Sequence, residues 1–76
     1  MIRPTLRQLD ILEAVARCGS FSRASAELHL TQPAVSMQIK QLESTLGLPL
    51  FEHIGKGIHL TAAGTETLET CRAIGR

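Results

Sequence analysis

The sequence predicts a mainly α domain, with three short helices, a two-stranded hairpin and one further helix. Three observations carry that reading. Apolar residues recur at helical spacing over residues 6–16 and 35–46. Gly19, Gly47 and Pro49 stand where those segments should stop. Two short β-prone runs, Leu50-Phe51-Glu52-His53 and Ile58-His59-Leu60, flank Ile54-Gly55-Lys56-Gly57, whose glycines mark a tight exposed hairpin tip.

Thr5 is a plausible N-cap for the first helix. Behind it Leu6, Leu9, Leu12 and Ala16 form an apolar stripe, broadened by Ile11 and Val15, and Gly19 supplies a left-handed stop. Ser22 is expected to cap a short second helix over about residues 23–29, with Phe21, Ala24 and Leu28 facing inward. The small residues Ala24, Ser25 and Ala26 allow close helix approach. Leu30 can plug the core while Thr31 caps the third helix, and Pro33 falls in its first turn, where a missing N–H costs nothing. Val35, Ile39, Leu42 and Leu46 then make one apolar stripe, opposite Pro33, Ser36, Met37, Lys40, Gln41 and Ser44. Thr61 caps a last helix with a thin apolar edge of Leu68, Cys71 and Ile74 or Gly75. That pattern breaks off without a stop signal, which is the expectation for a longer protein cut here. The expected division is a domain over residues 1–60 and the start of a linker helix over 61–76.

Composition narrows the function. A chain of 76 residues with 43% hydrophobic content holds one small core and little room for a pocket. The net charge of +1 does not by itself announce nucleic acid. Its distribution says more: no acidic residue lies between Glu27 and Glu43, Lys40 sits inside that window and Arg23 just before it. A surface without acids avoids repelling phosphates. Cys18 and Cys71 form no CxxC pair and read as reduced thiols of a cytosolic protein. Met1-Ile2-Arg3-Pro4 lacks a signal-peptide apolar run, and no stretch has the length of a membrane span, so a cytoplasmic, membrane-free protein is expected.

Enzyme chemistry finds no support. His29, His53 and His59 with the cysteines lack zinc-ligand spacing. Gly55-Lys56-Gly57 lacks the remainder of a phosphate loop, and there is no Gly-x-Ser-x-Gly. No cofactor or metal is expected.

The element order is that of a winged helix-turn-helix: a three-helix core, a two-stranded wing, then a linker helix. In such a fold the third helix presents its first turn to the major groove. Gln32 can bond adenine N6 and N7 together, Ser36 can serve a base or a phosphate, and Met37 can touch a thymine methyl. Lys40 fits a phosphate, and Thr31 and Ala34 share the first turn with Pro33. Lys56 can reach the minor groove from the wing, and His53 can touch phosphate when protonated. The rival is a winged helix used for protein contact. It predicts an apolar outer face, for which only Pro33, Met37 and Ala34 qualify.

Ser20-Phe21-Ser22-Arg23-Ala24, Leu28-His29-Leu30-Thr31-Gln32-Pro33-Ala34-Val35-Ser36, Gln38-Ile39, Leu42-Glu43, Leu46-Gly47-Leu48-Pro49-Leu50-Phe51-Glu52 and Leu60-Thr61-Ala62-Ala63-Gly64 resemble the LysR-type transcriptional regulators. The resemblance implies recognition-helix contacts at Gln32, Pro33, Ser36 and Lys40 and a wing contact at Lys56. Many members carry Arg where this chain has Met37 and His53, which weakens the transfer of phosphate contacts to both positions. Residues 28–43 with Gly55-Lys56 look most like the branch regulating Calvin-cycle (RuBisCO) operons. By the same resemblance, a whole protein would add an effector-sensing domain. It would pair subunits through the linker helix as a homodimer. A tetramer would then sit on a pseudo-palindromic promoter site.

Overall fold

The structure, a computed structural model, describes residues 4–75, with side chains through residue 73. Helix α1 spans Leu6–Cys18, α2 Phe21–Leu28 and α3 Gln32–Leu46. Strands β1 (Phe51–Ile54) and β2 (Gly57–Leu60) follow, and α4 spans Ala62–Gly75. This is the mainly α winged helix-turn-helix that the sequence predicts.

Each helix begins and ends for a local reason. The Thr5 hydroxyl accepts the Gln8 N–H at 3.0 Å, and Gln8 Oε1 accepts the Thr5 N–H at 3.2 Å, a reciprocal capping box. Gly19, at φ 66°, closes α1 with its N–H on the Val15 carbonyl. The second helix starts earlier than the sequence predicts. Ser20, not Ser22, is its N-cap, accepting the Arg23 N–H at 3.2 Å. Ser20 is the extended residue directly after the left-handed Gly19, so it alone has the backbone a cap needs. At the other end His29 adopts φ 58°. Its N–H bonds the Ala26 carbonyl, and the Leu30 N–H bonds the Ser25 carbonyl, the double closure of a Schellman turn. A non-glycine there costs roughly 1–2 kcal/mol. The return is a turn of only His29, Leu30 and Thr31 before α3. Thr31 caps α3 through the Ala34 N–H at 3.2 Å, with Pro33 in its first turn.

The core gathers Ile11, Leu12 and Val15 from α1, Ala24 from α2, Val35, Ile39 and Leu42 from α3, and Leu50 and Leu68 beyond them. Two predicted stripes shift. In α1 the buried face runs through Gln8, Ile11, Leu12, Ala14 and Val15, whereas Leu6 is 80% exposed and Leu9 only half-buried. In α3 the stripe ends at Leu42, leaving Leu46 36% exposed, because the chain turns away at Gly47. Of the last helix's predicted edge, Leu68 is buried and Cys71 half-buried, while the Ile74 and Gly75 side chains lie outside the described residues.

The hairpin is tighter than predicted. Ile54 and Gly57 pair with each other, leaving a two-residue turn at Gly55 and Lys56, and the ladder runs back to Phe51 opposite Leu60. Gly55, at φ 62°, takes the first central position, where this strand twist demands a positive φ. Leu50 falls outside the strand and is fully buried. Its N–H donates to Glu43 Oε2 at 2.8 Å, and its carbonyl accepts the Thr61 N–H at 2.9 Å. Leu50 thus ties α3, the wing and the start of α4 together. Phe51 adds an edge-on contact to Phe21 at 5.8 Å, fastening the wing to α2. Outside the core, Arg17 joins Glu13 on α1 to Glu27 on α2. Its hydrogen bond holds the Glu27 carboxyl below the usual range.

Gly64 makes the α4 junction sterically strict. A Cβ there would overlap the Leu50 carbonyl oxygen and stand 2.8 Å from Leu60 Cδ2. Helix propensity alone would make Gly64→Ala stabilising by about 1 kcal/mol. The overlap is with backbone, so we expect the opposite sign, a loss of about 2–3 kcal/mol in urea unfolding. Thr65→Ala, on the exposed side, should fall within about 0.5 kcal/mol of the parent.

Candidate nucleic-acid interface

The outer face of α3 is a direct consequence of its buried one. With Val35, Ile39 and Leu42 inside, Pro33, Met37, Lys40 and Ser44 must point outward, and all four are exposed. Gln32, Pro33, Ser36, Met37 and Lys40 line one shallow, open depression. Gln32 and Lys40 are exposed, and Ser36 is half-buried. Among the described residues, no hydrogen bond or ion pair engages the side chains of Gln32, Ser36 or Lys40, so their polar atoms remain available to a ligand. Met37 is 53% exposed and puts a thioether in the middle of this face.

The remaining predicted residues divide. Thr31 spends its hydroxyl on the Ala34 N–H, and Ala34 is half-buried beside it. Both belong to the first turn without offering a free polar side chain. His53 and Lys56 are exposed on the wing, outside the depression: His53 on β1 opposite Ile58, Lys56 at the turn.

The electrostatics favour an anionic partner more than the net charge does. The two acids that bound the acid-free window are both occupied within the fold. Glu27 is held by Arg17, and Glu43 accepts the Leu50 N–H. Neither carboxylate lies in the depression. The helix dipole of α3 adds partial positive charge at the Gln32 end.

Sequence reasoning missed Gln8. It is 7% exposed, and its Nε2 donates to Gln38 Oε1 at 3.3 Å, linking α1 to α3. The Thr5-x-x-Gln8 spacing is the visible signature of the capping half of this arrangement. Among the described residues, no cluster of His, Cys, Asp or Glu could hold a metal, and no helix is long and apolar enough to cross a membrane. Cys18 and Cys71 are free thiols.

Residues 6–65 match the family described as "Bacterial regulatory helix-turn-helix protein, lysR family", which comprises regulators and not enzymes. The chain is 58% identical over 72 residues to the RuBisCO operon transcriptional regulator of Allochromatium vinosum, covering 95% of this chain and 24% of that protein. It is 59% identical over 69 residues to the HTH-type transcriptional regulator CbbR of Rhodospirillum rubrum, covering 91% of this chain and 23% of that one. It thus spans about a quarter of the length of these curated relatives. Among solved structures, the CbnR_DBD–DNA complex superposes with a TM-score of 0.86 at 43% identity, covering 92% of this chain and 80% of that one. Fold, motif and these similarities agree: the chain belongs to the lysR family of bacterial regulatory helix-turn-helix proteins.

Proposed function

We propose that the chain binds double-stranded DNA sequence-specifically as part of a transcription regulator, with α3 in the major groove and the wing at the adjacent minor groove. The observation that carries this is the set of uncommitted polar side chains on the exposed face of α3, with the neighbouring acids tied up elsewhere. In this arrangement Gln32 reads a base edge, Ser36 a base or a phosphate, and Met37 a thymine methyl. Lys40 and the α3 N-terminus hold phosphates, while the short first-turn residues Thr31, Pro33 and Ala34 let the helix approach closely. Lys56 and His53 contact the backbone or the minor groove from the wing. That the CbnR_DBD structure is a DNA complex supports the same use of this fold.

The names of the relatives support regulation of a RuBisCO, CO2-fixing operon. Binding to chromosomal DNA implies a cytoplasmic location. Residues 61–76 act as the start of a linker helix that pairs two copies. An open apolar cleft supports this, with Leu9, Leu46, Leu48, Ala63 and Cys71 in its walls. Pairing would cover Leu46 and the 54%-exposed Leu48. Two copies related by a two-fold axis would read half-sites one or more helical turns apart, and a whole regulator would assemble as a tetramer.

Selection of bound duplexes from a random pool should return a two-fold symmetric consensus; recovery of no sequence preference would contradict the proposal. On the selected duplex, Gln32→Ala should cost about 1–3 kcal/mol, read as relaxed preference at one base step. Lys40→Ala should weaken selected and scrambled duplexes alike. It should also flatten the slope of log affinity against log salt by about 1. A base-selective loss at Lys40 would contradict its assigned role.

A further inference from the structure

The third helix is held against α1 chiefly by Val35, Ile39 and Leu42. Apolar packing of this kind is non-directional and tolerates small rotations. Base reading does not. A rotation of about 10° moves a side-chain tip at about 5.5 Å radius by about 1 Å. That is twice the roughly 0.5 Å tolerance of a preorganised site.

A hydrogen bond between the two helices is directional. Gln8 Oε1 is fixed by the Thr5 N–H at 3.2 Å, which settles which end of the amide is oxygen. The other end, Nε2, therefore faces α3 and donates to Gln38 Oε1 at 3.3 Å. Gln8 is almost fully buried, and Gln38 sits next to Met37 and two residues from Ser36 and Lys40. A part-buried, hydrogen-bonded amide pair of this kind, with Gln8 buried and Gln38 half-buried, favours one helix register over its neighbours. We propose that Gln8 is a positioning residue for base recognition, its amide locking the rotation of α3 through Gln38. This inference rests on α3 being the DNA-reading helix.

The test compares affinities for the selected duplex and a scrambled duplex of the same composition. Gln8→Met keeps the side-chain volume and removes both amide bonds. It should lower the selected-to-scrambled ratio about three- to tenfold, the size of one net hydrogen bond. Scrambled binding and the salt slope should stay as in the parent. Thr5→Ala removes the capping hydroxyl but leaves the Gln8–Gln38 bond, so it should lower Tm without moving the ratio. Gln8→Glu should restore the ratio, because its carboxylate accepts the Thr5 N–H and, with the Gln38 amide turned over, a Gln38 Nε2–H. Gln38→Met breaks the same bond from the other side. It gives an independent reading should Gln8→Met fail to fold, and in its background Gln8→Met should have no further effect on the ratio.

Amide spectra of the free chain add a readout without DNA: residues 36–40 should shift in Gln8→Met and hold in Thr5→Ala. An unchanged ratio in Gln8→Met and in Gln38→Met, with the parent still discriminating, overturns this inference alone. A parent that does not discriminate the two duplexes overturns the DNA-reading premise and this inference with it.

Discussion

Burial of Val35, Ile39 and Leu42 is the constraint on which the rest depends. At 3.6 residues per turn these three positions fall within an arc of about 60°. Sealing that arc against α1 decides which face α3 shows to solvent, to within a small rotation. Pro33, Met37, Lys40 and Ser44 occupy the opposite arc, Ser36 lies to one side of it, and Gln32, nearer the buried arc by angle, is exposed in the open first turn. The interface is therefore a by-product of the core. Each buried aliphatic side chain contributes about 1.5–3 kcal/mol to folding and at the same time aims a polar one outward.

Rotation about the helix axis is only one degree of freedom. The others are set by hydrogen bonds at the ends. Thr31 fixes where α3 begins, and the left-handed His29 shortens the path from α2 so that the two helices must cross tightly. At the far end Glu43 and Leu50 bind the wing to the same helix. Through Thr61 and Gly64 the start of α4 is tied to Leu50 as well. The carboxylate of Glu43 therefore acts twice: it anchors the wing, and its negative charge is held away from the outer face of α3.

Much of this was legible in the sequence because its signals are local. Thr5, Thr31 and Thr61 are caps as predicted, Gly19 and Gly47 stop their helices, and α3 spans the predicted residues. The depression on α3 brings together Gln32, Pro33, Ser36, Met37 and Lys40, all of them singled out by spacing and resemblance. What escaped is tertiary. Leu6 fits the helical period yet stays exposed, because the described core lies to one side of the helix start. Ser20 and Ser22 are equally good caps in isolation, and only the conformation of Gly19 decides between them. Leu50 reads as a strand residue but serves as a core plug. The Gln8–Gln38 contact joins residues thirty positions apart, and no local pattern announces it.

The central claim is that the polar arc of α3 meets the nucleobases. It is tested most directly by following backbone amide resonances of the chain while titrating a duplex it selects. The account predicts that the largest shifts fall on residues 32–40, with a second group at 53–57 on the wing. If the perturbed amides lie instead along α1 and α4, around the Leu9 and Leu48 cleft, and α3 stays silent, the account is wrong.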